Sequence, residues 1–281
     1  MSDKPVFAKY FFHPAEDRED GTARQMICSD DHPLMGFYFN SVWYRKPCAV
    51  IESDYALAYD ELLCFVGQDL ENPSDLGCDL CITIAGREYE TSKSCMILVP
   101  KYVPRGPITI ENVHRPFFAY TGGASKERVP VDKSKWRVPD NVDFENYVLH
   151  FNGIDRDESE FEVFRLHDRN NNMIAGFGGV FYGKYRWFLP TTPKDMVFSL
   201  ESHSHTQPEM LHLFGTDPDN PVDLGAQVTM HFMDESYTFD KTTSIFVPSN
   251  QPHTPLVINR VDRPFMFFTL MPDCQVYSLD K

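Results

Sequence analysis

Apolar and polar side chains alternate with a period of two in many short runs of this chain, as at residues 79–84 (DLCITI), 160–166 (EFEVFRL) and 227–232 (QVTMHF). Alternation sends successive side chains to opposite faces of an extended backbone, so each run predicts a half-buried strand. Pro, Gly, Asn and Asp bound the runs at short intervals, whereas Ala-, Leu- and Lys-rich stretches of helical period are scarce. Short strands separated by turn residues predict an all-β sandwich or barrel. The polar DRNNN at residues 168–172 reads as a hairpin turn between two such runs.

The pattern occurs twice. Residues 61–121 align with residues 209–269 without a gap, and about a third of the positions are identical, which marks an internal repeat. Shared residues include Gly67 and Gly215, Asp69 and Asp217, Asn72 and Asn220, Asp-Leu-Gly at 75–77 and 223–225, Tyr89 and Tyr237, Pro100 and Pro248, and Arg-Pro-Phe at 115–117 and 263–265. A weaker likeness of residues 36–47 to 179–190 extends the repeat upstream. Each copy therefore predicts one β-domain, over residues 1–122 and 147–281, with the polar, Pro- and Gly-containing residues 123–146 as linker. Within each copy a turn-rich segment separates two strand pairs, which fits a two-sheet Greek-key or jelly-roll barrel.

Charge narrows the partners. With 26 basic and 41 acidic residues the net charge is −15, which opposes phosphate backbones and anionic membrane surfaces. An anionic substrate stays compatible, because a bound metal or local Arg residues can reverse the field inside a pocket. No apolar run is long enough to span a bilayer, and the N-terminal residues lack an apolar core and small-residue cleavage site. The seven Cys are odd in number and widely spread. Free thiols and a reduced, cytoplasmic setting are expected, with a small-molecule substrate as partner and a homodimer left open.

The candidate chemistry lies in the second copy. His203 and His205 are two apart, so a strand would point both imidazoles to one face. Glu209 follows a Gln-Pro turn and can open the next strand, and His253 lies on a later Pro-bounded hairpin. Three imidazoles and one carboxylate suit one divalent ion of Fe, Mn, Zn, Ni or Cu and leave positions open for water or substrate.

His-x-His-x-x-x-Glu followed by a Pro-bounded hairpin carrying a His resembles the paired metal motifs of the cupin superfamily, and the duplication resembles a bicupin. The resemblance implies two cupin-type jelly-roll barrels with an interior metal site, and dioxygenase activity as a frequent function of such proteins. The turn Pro248-Ser-Asn-Gln-Pro252-His253 carries Asn250 where the family usually has Gly. Asn tolerates positive φ better than most residues, so the turn stays feasible.

In the first copy the aligned positions are Tyr55, Leu57, Glu61 and Arg105. The carboxylate survives and all three imidazoles are gone. A lone buried Glu61 is costly, so a bidentate pair with Arg105 is expected to replace the metal, with an anion bound by Arg105 as the alternative. Catalytic candidates for proton transfer are His231, Glu235 and Tyr237, His231 sharing strand parity with Gln227 and so placed facing the barrel interior. Cys78 and Cys81 have metal spacing but face opposite ways on a strand, His212 falls on the face opposite Glu209, and Tyr185, Trp187 and Phe188 read as core. A metal-dependent dioxygenase, a non-oxidative isomerase, lyase or decarboxylase, and a non-enzymatic ligand-binding protein all remain open at this point.

Overall fold

The computed structural model describes residues 7–13, 18–19, 23–28, 38–123, 125, 128–140, 143–144, 147–150, 160–165, 181–199 and 201–272. The turn expected at residues 168–172 lies outside them. The described residues form strands, joined by loops and two short 3-10 turns at Ala8–Tyr10 and Lys133–Lys135. They fall into two compact units: Glu16–Asn152, and Gly153–Lys281 together with Met1–Ala15.

The unit Glu16–Asn152 has two antiparallel sheets. One orders β5 (Cys48–Ile51), β10 (Arg105–Glu111), β7 (Asp75–Ile84) and β8 (Arg87–Lys93). The other orders β12 (Val148–His150), β9 (Cys95–Val99), β6 (Glu61–Val66), β11 (Phe117–Gly123), β4 (Tyr38–Tyr44), β3 (Ala23–Cys28) and β2 (Arg18–Glu19). The second unit repeats the plan. Its smaller sheet orders β15 (Met196–Ser199), β20 (Leu256–Val261), β17 (Asp223–Phe232) and β18 (Glu235–Lys241). Its larger sheet orders β1 (Phe11–Phe12), β19 (Thr243–Val247), β16 (Glu209–Gly215), β21 (Phe265–Pro272), β14 (Phe181–Phe188) and β13 (Glu160–Arg165). Each unit encloses its own apolar core: Leu63, Ile82, Ile97 and Phe117 lie in the first, and Leu213, Met230, Ile245 and Phe265 in the second.

The repeat is a repeat of register. Glu61 pairs with Val99 as Glu209 pairs with Val247, and Ile110 with Leu80 as Ile258 with Val228. Its shared residues have specific jobs. A Cβ on Gly67 or Gly215 would lie 1.8 or 2.0 Å from the carbonyl oxygen of Asp75 or Asp223, so only glycine permits that backbone approach. Asp75 and Asp223 accept from the amides of Gly77 and Gly225 and pair with Arg115 and Arg263, which fixes the Asp-Leu-Gly turn against the Arg-Pro-Phe strand entry.

The structure redraws the expected domain limits. Residues 1–15 belong with the second unit: Phe11 pairs with Ile245, and Phe7 stacks on Phe232 at 5.4 Å. Residues 123–146, expected as a linker, belong to the first unit, as does Val148, which pairs with Ile97. In both units an exposed sheet edge, at β9 or β19, gains its outer strand from chain that precedes the other copy. Unpaired edges favour such coverage, and local polarity in sequence does not reveal it.

Candidate metal centre

A minimal ladder holds the centre together. His203 and His253 exchange both backbone hydrogen bonds, at 3.2 and 3.0 Å, and the Asn250 amide donates to the His205 carbonyl at 2.6 Å. Asn250 has φ of 60°, the left-handed conformation expected of this residue in the hairpin. Glu209 begins β16 and shares its face with the core residues Leu211 and Leu213. His205, Glu209 and His253 are buried and His203 is half-buried.

The four predicted side chains come together. One ligating atom each from His203, His205 and His253 lies within 4.8 Å of the other two. The Glu209 carboxylate oxygen Oε2 is 3.1 Å from His253 Nε2 and 3.5 Å from His205 Nε2. Two imidazoles have a preset tautomer. His203 Nδ1 lies 2.9 Å from the Glu201 carbonyl oxygen and His253 Nδ1 lies 3.0 Å from that of Gln251. A carbonyl only accepts, so each Nδ1 carries a hydrogen and Nε2 is the nitrogen left to ligate a cation, which at His253 requires loss of the proton it shares with Glu209. Metal-binding histidines use this arrangement to fix ring orientation, and the donor set fits a divalent cation.

Electrostatics agree with that fit. Burial pushes the Glu209 carboxyl up, but hydrogen bonds from His205 and His253 override it and hold it well below the usual carboxylate range. Burial favours neutral His253, yet its hydrogen bond to Glu209 raises its pKa above the ordinary value. Burial dominates at His203 and lowers its pKa. Two threonines, unmarked in the sequence reading, support the ligands. Thr269 Oγ1 donates to Glu209 Oε1 at 2.5 Å, and Thr254 Oγ1 donates to the Glu201 carbonyl at 2.6 Å, 3.3 Å from His203 Nδ1. The repeat did carry a signal for Thr269, since Thr121 occupies the aligned position.

The proton-transfer candidates stand elsewhere. Val228, Met230 and Phe232 of β17 enter the core, so alternation turns His231, with Gln227 and Thr229, to the outer face and not to the barrel interior. Glu235 and Tyr237 hydrogen-bond to each other and both receive the Phe7 amide, and Tyr237 packs on Phe11 at 4.5 Å. They anchor the N-terminal segment. His212 faces away from Glu209, as expected: it bonds Ser244 at 2.7 Å between the rings of Phe214 and Phe268, and burial pushes its pKa down to about 3. Cys78 enters the core while Cys81 faces outward, and both are free thiols. Tyr185, Trp187 and Phe188 are buried.

The corresponding place in the first unit keeps the ladder and changes the chemistry. Tyr55 and Arg105 exchange the same two backbone bonds, each at 2.9 Å. Arg105 Nε donates to Glu61 Oε2 at 2.9 Å with both side chains fully buried, so the expected ion pair exists. It is made through Nε and is not the bidentate fork expected, because Nη1 donates instead to the Val103 carbonyl at 2.8 Å. Tyr55 donates to Glu61 at 2.6 Å. Burial, then the Glu61 charge, raises the Tyr55 hydroxyl well above its ordinary pKa, so it stays a donor. Arg128, from the stretch expected as linker, adds a second cation at 3.3 Å from Glu61 Oε1. Leu57 is buried and its backbone bridges Pro130.

Solved structures share this frame. A Bacillus subtilis oxalate decarboxylase, studied for its Mn(II) centres, superposes with a TM-score of 0.61 at 14% identity, over 99% of this chain and 81% of that one. The fold is that of a bicupin. AerE from Microcystis aeruginosa superposes with a TM-score of 0.54 at 8% identity, over 94% of this chain and 99% of its own. No protein-family model and no curated protein sequence matches the chain. The likeness therefore shows the bicupin architecture, and the chemistry rests on this chain's own residues.

Proposed function

We propose that this bicupin is a mononuclear metal-dependent enzyme whose C-terminal barrel acts on a small hydroxylated or carbonyl-bearing organic substrate in dioxygenase-type chemistry. The observation that carries the reading is the convergence of three imidazoles and one carboxylate: ligating atoms of His203, His205 and His253 lie within 4.8 Å of one another, and His253 Nε2 lies 3.1 Å from Glu209 Oε2. A divalent ion held by His203, His205, Glu209 and His253 would supply a Lewis acid for substrate oxygens and, if redox-active, one-electron chemistry. Glu209 contributes one negative charge and stays ionised. Thr269 fixes its Oε1, and the carbonyls of Glu201 and Gln251 keep two rings aimed. A cation there would displace the proton that His253 shares with Glu209 in the metal-free protein.

The oxidative reading is favoured because isomerase and lyase routes need a proton-transfer group, and His231 faces outward while Glu235 and Tyr237 bind the N-terminal segment. A second reading, a non-oxidative decarboxylase or other lyase, draws support from the likeness to oxalate decarboxylase. The test is elemental analysis of protein purified without oxygen, followed by O₂-uptake and CO₂-release assays on small hydroxy acids, dicarboxylates and aromatic diols. One ion per chain and O₂ uptake that His203→Ala abolishes are expected. CO₂ release without O₂ uptake would favour the second reading, full activity in metal-stripped protein would overturn the metal-dependent one, and metal-loaded protein inactive on every substrate would leave a binding role.

A further inference from the structure

Among the described residues, the first barrel gathers more positive than negative charge where its counterpart has the candidate metal centre. Glu61 is the one acid in direct contact with both Arg105 and Arg128 among the described residues. Its carboxylate already accepts from Tyr55, Arg105 and Arg128. The nearby acids point to other partners: Asp54 pairs with Lys133, and Asp60 accepts from the Lys101 amide. Two guanidiniums therefore face one carboxylate, and they flank the Tyr55 ring at 5.0 and 4.3 Å from its centre.

Arg105 is also incompletely satisfied. It is fully buried, its Nε and Nη1 are bonded, and its Nη2 has no hydrogen-bond partner among the described residues. A buried guanidinium N–H without an acceptor is costly, more so in a cluster of net positive charge. Arg128 is 32% exposed, which gives the cluster an opening to solvent.

We propose that this cluster is a binding site for a small organic monocarboxylate, held by Arg105 Nη2 and Arg128 in the first barrel. The excess charge of one matches a monoanion, and a planar carboxylate suits guanidinium geometry.

Formate, acetate and benzoate are the probes. They are titrated into the full chain carrying His253→Ala, which disables the other centre, while thermal unfolding is followed. At least one should raise the unfolding midpoint by roughly 2–4 °C or more near saturation. Adding Arg128→Gln should abolish the shift. An equal shift with Arg128→Gln, or none with any probe, overturns the proposal. A measurement independent of variants uses the wild-type chain loaded with zinc: carboxylate titration should move the Arg105 guanidinium NMR signals, and unmoved signals at saturating probe overturn it too.

Discussion

The two barrels build one backbone frame and fill it with opposite chemistry. The bridge Tyr55↔Arg105 matches His203↔His253, and Glu61 opens β6 as Glu209 opens β16. In each barrel the frame buries a carboxylate at a strand start, and a buried carboxylate must be compensated. The second barrel surrounds it with three imidazoles whose lone pairs can share a cation. The first surrounds it with a neutral phenol and two guanidiniums, cations covalently attached to the chain. The duplicated frame thus meets one electrostatic requirement in two ways, because arginine can supply a cation's charge but not its open coordination positions.

The largest difference should appear on removing ligands. His203→Ala or His205→Ala should abolish metal retention and turnover and leave the far-UV circular dichroism of the barrels unchanged, since each barrel has a large apolar core that does not depend on the ion. Arg105→Met should break the first barrel's substitute and cost ~3–5 kcal/mol in denaturant unfolding. The double change Glu61→Gln/Arg105→Met should recover much of that loss. Equal destabilisation by both would show that the pair is not coupled.

Subtler contrasts follow from the threonines. Thr269→Val removes the bond to Glu209 and should weaken metal affinity ~10–100-fold by competitive chelator titration. Thr121→Val, the aligned change, should leave it unaltered, since Thr121 bonds Tyr38 instead. Acid should have the mildest effect per step. The metal needs neutral imidazoles, and the His253 pKa is raised in the metal-free protein. Affinity should therefore be full above that pKa and fall about tenfold per pH unit below it, with proton uptake on metal release. Affinity that held steady on acidification would remove His253 from the ligand set.

Much of this was written locally. The period-two runs gave the strands of β7, β13 and β17, and the gapless repeat gave two barrels of equal register. His203, His205, Glu209 and His253 were legible because ligand chemistry demands particular side chains at fixed strand and hairpin positions. The Glu61–Arg105 pair was legible because the repeat aligned it with Glu209 and His253. His231 misled because parity alone does not say which face of β17 meets the core: Gln227 and His231 do share a face, but it is the outer one.

By itself the sequence determined the number of barrels, the strand register and the identity of the four candidate ligands, all properties of local periodicity and of alignment within the chain. Only the tertiary structure decided which segment completes which barrel. Phe7 and Phe11 join the second unit, although they lie in the stretch expected for the first, and Arg128 joins the first, although it lies in the stretch expected as linker. It also decided what holds the ligands: the Glu201 and Gln251 carbonyls, Thr254 and Thr269. Backbone carbonyls have no residue identity, and a threonine gains a role only when folding brings a distant strand beside it. Such contacts depend on long-range closure, which no local pattern encodes.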